Sequence, residues 1–537
     1  MNLAAELVQI KADPGLPASI AARLDALLEQ AQTDTAQAEQ LRAEVAQLNA
    51  VVAAGDAALK ASNLKIQALA LELAHHRRIR FSVKSEAMPV DQRDLFQETW
   101  NVDLAAIEAE VEQEAERFSP KPKRPRAGRQ PLPDHLPRIE YRHEPASCAC
   151  GQCGRELVKI GEDITEQLDC EPSRFFVHRH IRPQYACRSC ETVVADPIPP
   201  AVIDGGMAAS GLLAWVVVSK FVEHLPLYRL EQIAARQNVI LSRATQAEWV
   251  GRIGVALQPL ADRLSEMLRQ RPVLHADETP IQQLDPGRGK TLRAYLWAYR
   301  SNALETGPPI VVFDYQPSRS GSHAAAFLQD WRGHLMVDDY SGYKALFRGG
   351  ITELACMVHS RRKFFELHKD HQSVIAGEAL RRIAELYEVE DRAKHLDHAG
   401  RLAMRQAEAK PKLEAYGAWL TATRRSVADG SGTAKAIDYT LGRWAALMRY
   451  VESGSLPIDN NPVENTIRPI AIGKKNWLYC GSERAGRRAA AIQTLLGTAK
   501  LNGFEPYAWL KDTLEKLPAW PNSRIDELLP LQTATTQ

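Results

Sequence analysis

The chain has 537 residues, of which 45% are hydrophobic and 25% charged, with a formal net charge of +1. That length is too great for one compact core and implies roughly two to four domains, while the composition excludes a disordered or collagen-like chain. Its longest apolar run, GLLAWVVV at Gly211–Val218, falls far short of the ~18 residues of a membrane span.

The N-terminal MNLAAELVQIKADPG lacks the basic start and apolar run of a signal peptide, so a cytoplasmic address with no membrane contact is expected. Thiols stay reduced there, and cysteine clusters read as metal sites before disulfides. From Ser19 to about Arg78 the chain is rich in Ala, Leu, Gln and Glu, and Leu41/Leu48 and Val45/Val52 keep seven-residue steps. This predicts a helical stripe within a region 1–118, either a dimeric coiled coil or a hairpin bent at Gly55. Asn101–Arg117 then holds six acids against one Arg, whereas Lys121–Arg129 (KPKRPRAGR) holds five basic residues and no acid. With six prolines, Ser119–Pro137 reads as an extended linker over 119–138, and Lys121, Lys123, Arg124, Arg126 and Arg129 are candidate phosphate or minor-groove contacts. A solvated linker is the plainer reading of the same charges.

Cys150-Gly-Gln-Cys153 and Cys187-Arg-Ser-Cys190 are two C-x2-C pairs with 33 residues between them. Each pair can grip one face of a tetrahedral ion, so a module over 139–198 is expected to hold one structural Zn2+. Four thiolates leave no open coordination position, which argues for scaffolding and not catalysis. Cys148 and Cys170 are spares, and His178 and His180 are weaker substitutes. The gap requires a β segment, Arg174–Tyr185, that folds back. Residues 199–271 read as helical; Tyr228–Gln237 and Ser242–Arg252 have the outline of a helix-turn-helix, although helices packed on the next domain fit better.

Strand patterns begin at Pro272, with Val273–Ala276, Thr291–Arg300, Pro309–Asp314 and His334–Asp338. Hairpins followed by a crossover predict a mixed sheet with helices, a multidomain α/β protein. Two of these strands end in carboxylates, Asp277 and Asp338. As neighbours these acids would repel, and a divalent cation, Mg2+ or Mn2+, would resolve the conflict. Taken singly, each is equally well a turn former. The third acid selected is Glu464, in the first turn of a helix that Asn461 would cap and Pro462 would start. Beyond it, Arg468, Lys474 and Lys475 could hold phosphates. His359, Arg361, Arg362 and Lys363 form a further basic run, equally a DNA contact or a solvated face. Trp477 reads as a core residue before a base-stacking one.

The ordered motifs HADET, VDDYSGY, HSRRKFFEL and DNNPVENTIRPIAIGKKNWLYCGS resemble the insertion-sequence-66 transposases, a branch of the DDE transposases. The likeness extends to the N-terminal leucine-rich helix, the paired C-x2-C module, HLPLYRLEQIAAR and TAKLNGFEPYAWL, and so covers nearly the whole chain. It implies a ribonuclease-H-like catalytic domain with Asp277, Asp338 and Glu464 as its metal-holding triad. Between the second and third acids lie 125 residues. The catalytic parts would then be 272–365 and 456–505, with a helical insertion at 366–455 and a tail at 506–537. Partners implied are double-stranded DNA, as terminal inverted repeats and target, a second copy of the chain on DNA, and small accessory proteins of the same element. Two departures stand out: the family's Asp-Gly-Tyr is Asp338-Asp339-Tyr340 here, and its Gly-Arg-Lys-Asn is Gly473-Lys474-Lys475-Asn476. Two rival functions share these residues, a nuclease without strand transfer and a non-catalytic zinc-containing DNA-binding protein.

Overall fold

A computed structural model of the chain describes residues 18–81, 101–111, 132–144, 149, 153, 155–171, 174–187, 189–203, 205–285 and 290–532. The chain divides into two units, residues 1–72 with 110–123 and residues 73–109 with 124–537. In the first lies most of a single helix, Ala18–Phe81, which passes through Gly55 without interruption. The hairpin bent at Gly55 is therefore corrected: one glycine costs only about 1 kcal/mol in a helix, too little to break so long an Ala-, Leu- and Gln-rich run. Leu41, Val45, Leu48 and Val52 stand 54–61% exposed along it.

The second unit contains two sheets. The smaller one is built from β1 (Arg138–Arg142), β2 (Val158–Glu171), β3 (Arg174–Ala186) and β4 (Val193–Val194), in the order β1-β3-β2 with β4 also on β3. β3 pairs antiparallel with β2 from Glu171/Arg174 onward.

The larger sheet has five strands: β5 (Val273–Leu284), β6 (Thr291–Ser301), β7 (Val311–Gln316), β8 (His334–Val337) and β9 (Thr352–Ala355), ordered β7-β6-β5-β8-β9. β5, β6 and β7 pair antiparallel, whereas β5, β8 and β9 pair parallel. β5 runs eight residues past the sequence-expected end at Ala276, because β6 continues to pair with it through Leu284. Pro280 is tolerated there: its carbonyl points to Lys474, so its missing N–H also lies on the side away from β6. β7 starts two residues later than expected, after Pro308 and Pro309, neither of which can donate to a ladder.

Helices cover this sheet. Arg243–Leu268 starts where Ser242 accepts the Thr245 amide at 3.1 Å, and it continues far beyond Arg252. Its Trp249, Ile253, Leu257 and Leu264 share one core with Trp297, Tyr299 and Val312 of the sheet and with Ile492 and Leu495 of the Glu483–Leu501 helix. The helix-turn-helix outline thus serves packing on the sheet. The outer edge of β7 is covered rather than bare. Thr494 and Thr498 of the Glu483–Leu501 helix accept the Phe313 and Val311 amides at 2.8 and 3.2 Å.

Between β9 and the last part of the chain, helices run from Met357–His371 to Trp444–Met448. Phe364, Ile383, Leu386, Leu413, Tyr416 and Ile437 form their core, which is continuous with Val273, Met336 and Leu354 of the sheet. A fully buried Arg405 ties this bundle to the segment that follows it. Its guanidinium meets Glu390 at 2.6 Å and donates to the carbonyls of Tyr450 and Leu456 at 3.0 and 2.8 Å. That segment leads directly to Glu464.

Candidate active site

The parallel pairing of β5 with β8 sets Val273 against His334, Leu274 against Leu335 and His275 against Met336. The same offset, carried two residues on, brings Asp277 level with Asp338, just past the end of β8. Asp277 therefore stands in mid-strand, at the point where its β8 neighbour stops. Asp338 accepts the Tyr340 amide on Oδ1 at 2.9 Å, a local turn that fixes its carboxylate at the strand exit. Asp339 turns elsewhere, with Oδ1 3.1 Å from Lys344 Nζ and 3.7 Å from Arg443 Nε. Glu278, the other acid of the HADET stretch, is committed as a brace: it accepts from Arg319 Nε at 2.7 Å and from the Tyr343 hydroxyl at 2.8 Å.

Glu464 lies in the first turn of the Asn461–Trp477 helix. Val463, Ile467 and Ile470 of that helix pack on Ile281, Leu296 and Ala298 of the sheet. Close approach at its far end requires Gly473, where a Cβ would sit 2.2 Å from the His224 ring. Lys474 donates to the Pro280 carbonyl at 2.8 Å, so that ammonium also ties the helix to β5. The cap differs from expectation: Asn460, not Asn461, occupies that position, and its side chain does not cap. Instead it accepts from His275 Nδ1 at 3.0 Å and donates to the Ala276 carbonyl at 2.9 Å. Asp459 takes over the local turn, accepting the Asn461 amide at 3.0 Å.

These three elements bring the acids into one electrostatic neighbourhood. Burial first, then the charges of Glu278, Asp338 and Glu464, pushes the Asp277 carboxyl up to about 8. Cys356 and His359, one turn apart on the helix after β9, complete the surroundings; Cys356 Sγ, a His359 ring nitrogen and a Glu464 oxygen lie within 4.8 Å of one another. Cys356 Sγ accepts the Asn460 amide at 3.2 Å, and burial pushes its thiol up to about 12. Glu464 Oε1 and His359 Nδ1 are both buried without a hydrogen bond. Among the described residues the group within ligand distance here is Cys356, His359 and Glu464, and it does not take in Asp277 or Asp338; the structure brings those two acids level on adjacent strands but does not close them on Glu464 as one cluster.

In the smaller sheet, Cys153 Sγ lies 3.4 Å from Cys187 Sγ and 3.8 Å from Cys190 Sγ. Sulfurs about 2.3 Å from one ion in a tetrahedron would be about 3.8 Å apart, so the three fit a zinc site. Amides of Ser189 and Cys190 lower the Cys187 thiol, favouring its thiolate. Cys150 lies outside the described residues. His178 bonds Asp169 at 2.7 Å and His180 bonds His143 at 3.0 Å, and neither joins the sulfurs. Among candidate DNA contacts, Arg361, Arg362, Lys363, Arg468 and Lys475 are exposed. Lys121, Lys123, Arg124, Arg126 and Arg129 lie outside the described residues.

Residues 205–488 match the family described as Transposase IS66 family. The chain belongs to the IS66 transposase family. Flanking parts agree: residues 147–191 match the zinc-finger binding domain of transposase IS66, residues 494–531 the IS66 C-terminal element, and residues 68–140 Transposase C of IS166 homeodomain. Three similar proteins of Sinorhizobium fredii (strain NBRC 101917 / NGR234) carry only the designation of uncharacterized protein. Of these y4jD is 38% identical over 74% of this chain and 81% of its own length, and y4qI 37% identical over 87% and 88%. The third, y4hP, is 33% identical over 87% of both. No helix among the described residues of this IS66-family chain is long and apolar enough to cross a membrane.

Two residues packed beside Glu464 read differently in the sequence. His359 was grouped with the basic run after it, although Cys356 and His359 share one helical turn. Asn460 was passed over for Asn461; in a doubled asparagine, nothing local tells which amide turns inward.

Proposed function

We propose that this protein is a DDE-type transposase that binds the ends of a mobile element, cuts DNA there and joins the freed end to target DNA. The order β7-β6-β5-β8-β9, with an antiparallel half and a parallel half, supports a ribonuclease-H-like catalytic domain. One observation carries the reading: the β5–β8 register, carried two residues on, sets Asp277 level with Asp338, while Glu464 arrives from a distant helix that packs on the same sheet.

In this reading Asp277, Asp338 and Glu464 hold two divalent ions, Mg2+ or Mn2+. When bound, such a pair activates water or a 3′-hydroxyl and stabilises the departing oxygen of a phosphodiester. The protein's own part is placement. Asp277 and Asp338, level on adjacent strands, would hold the ions from two sides, and Glu464 would close the third. Arg361, Arg362 and Lys363 on one helix, with Arg468 and Lys475 on another, supply cationic contacts to the DNA backbone, whereas Lys474 is committed to the Pro280 carbonyl. These add to the basic linker, and together they make binding salt-dependent. Cys150, Cys153, Cys187 and Cys190 hold one structural zinc. The exposed stripe of Ala18–Phe81 pairs with a second copy on DNA, and small accessory proteins of the element assist. The protein works in the cytoplasm.

Donor-end DNA and target DNA incubated with Mg2+ test this directly. Wild-type protein should give both nicked ends and joined products. Asp277→Asn and Glu464→Gln should give neither, while retaining DNA binding. Cleavage by either variant at the wild-type rate would overturn the assignment; cleavage without joined products would leave a nuclease.

A further inference from the structure

Glu464 is not the only group at this site with an unused atom. His359 Nδ1 and Glu464 Oε1 are 3.7 Å apart, and both atoms are buried without a hydrogen bond. The separation is too long for a hydrogen bond, which ends near about 3.2 Å. Leaving a buried polar atom unsatisfied is destabilising, so two such atoms facing one another call for a common partner. Two donors each about 2.1 Å from one cation lie about 3–4 Å apart, and 3.7 Å falls within that span.

The remaining neighbours supply no alternative partner. Arg362 Nη2 approaches the other oxygen of Glu464, at 3.7 Å. Cys356 Sγ is already the acceptor for the Asn460 amide. His359 projects from the first turn of Met357–His371, directly after β9, so its position is set by the sheet that carries Asp338.

We infer that His359 supplies its Nδ1 as a further ligand to the divalent ion that Glu464 holds. The inference rests on the reading of Asp277, Asp338 and Glu464 as metal holders. An imidazole beside carboxylates makes the donor set softer than oxygen alone, and it favours Mn2+ over Mg2+. His359 is thereby set apart from Arg361, Arg362 and Lys363, whose side chains are exposed.

Pulsed electron paramagnetic resonance on zinc-replete full-length protein with one equivalent of Mn2+ tests this without reference to activity. The wild type should show nitrogen-14 coupling to the bound Mn2+. His359→Ala and His359→Gln should lose the coupling and bind Mn2+ at least about tenfold more weakly, with a smaller loss for Mg2+. Thermal melting of both variants checks that the fold persists, with His359→Gln keeping a polar side chain should the alanine unfold. Absence of coupling in the wild type, or coupling undiminished in both variants, overturns the inference. If Asp277→Asn still abolishes Mn2+ binding in that case, the acidic site stands and only the histidine falls. If Mn2+ binding ignores Asp277→Asn, the acidic site falls as well.

Discussion

Asn460 Oδ1 lies 3.0 Å from His275 Nδ1, two residues before Asp277 on β5 and four residues before Glu464 on its helix. With its donation to the Ala276 carbonyl and its backbone amide on Cys356, one buried residue links the strand of Asp277, the helix of Glu464 and the turn bearing His359. Burial lowers His275 to about 4, so the ring is neutral and its Nδ1 carries the proton that Asn460 accepts. Asn460→Ala would strand a buried N–H and a buried carbonyl, at about 2–4 kcal/mol. Chemical denaturation should show that loss, together with a fall in donor-end cleavage. A stability unchanged within about 0.5 kcal/mol would refute the link.

How much of this arrangement the sequence could disclose depends on range. Alternating aromatics at Thr291–Arg300 and the apolar run of His334–Asp338 mark strands, and the apolar starts VLHA and HLMV mark the two acids that follow them. The continuation of β5 to Leu284 depends on β6, a partner that local pattern does not reveal. Buried Arg405 and Asn460 read as ordinary polar residues because their partners, among them Leu456 and His275, are 51 and 185 residues away.

The raised Asp277 carboxyl couples cation binding to proton release. Its ordinary value is 3.8, and in the folded, metal-free protein it is about 8. Native protein therefore binds the proton more tightly than unfolded protein, so this group makes stability fall as pH rises from about 4 to about 8. Comparing wild type with Asp277→Asn isolates the effect, because the opposing contribution of His275 is common to both. Mn2+ binding at pH 7, followed calorimetrically in buffers of different ionisation enthalpy, should release about one proton. No proton release would contradict the raised carboxyl.

Zinc is expected at about one ion per chain. Metal analysis should find it in the wild type and lose it in Cys187→Ser, whose sulfur lies 3.4 Å from that of Cys153. Cation-dependent chemistry at Asp277 should survive in whatever fraction of that variant remains folded. Wild-type protein purified free of zinc, with its fold intact, would contradict the assignment.

The stripe of Leu41, Val45, Leu48 and Val52 is exposed along one unbroken helix. Burying it against a second copy gains about 25 cal/mol per Å² of apolar surface. Leu48→Asp should therefore shift the protein toward monomer in sedimentation equilibrium. Identical mass distributions for wild type and variant would count against pairing through this stripe.

The most direct test of the three-acid site is anomalous scattering from crystals grown with Mn2+. It should place manganese between the carboxylates of Asp277, Asp338 and Glu464, with Glu464 within bonding distance of an ion. A well-ordered sheet and helix with no manganese there, or with Glu464 turned away from the two aspartates, would contradict it.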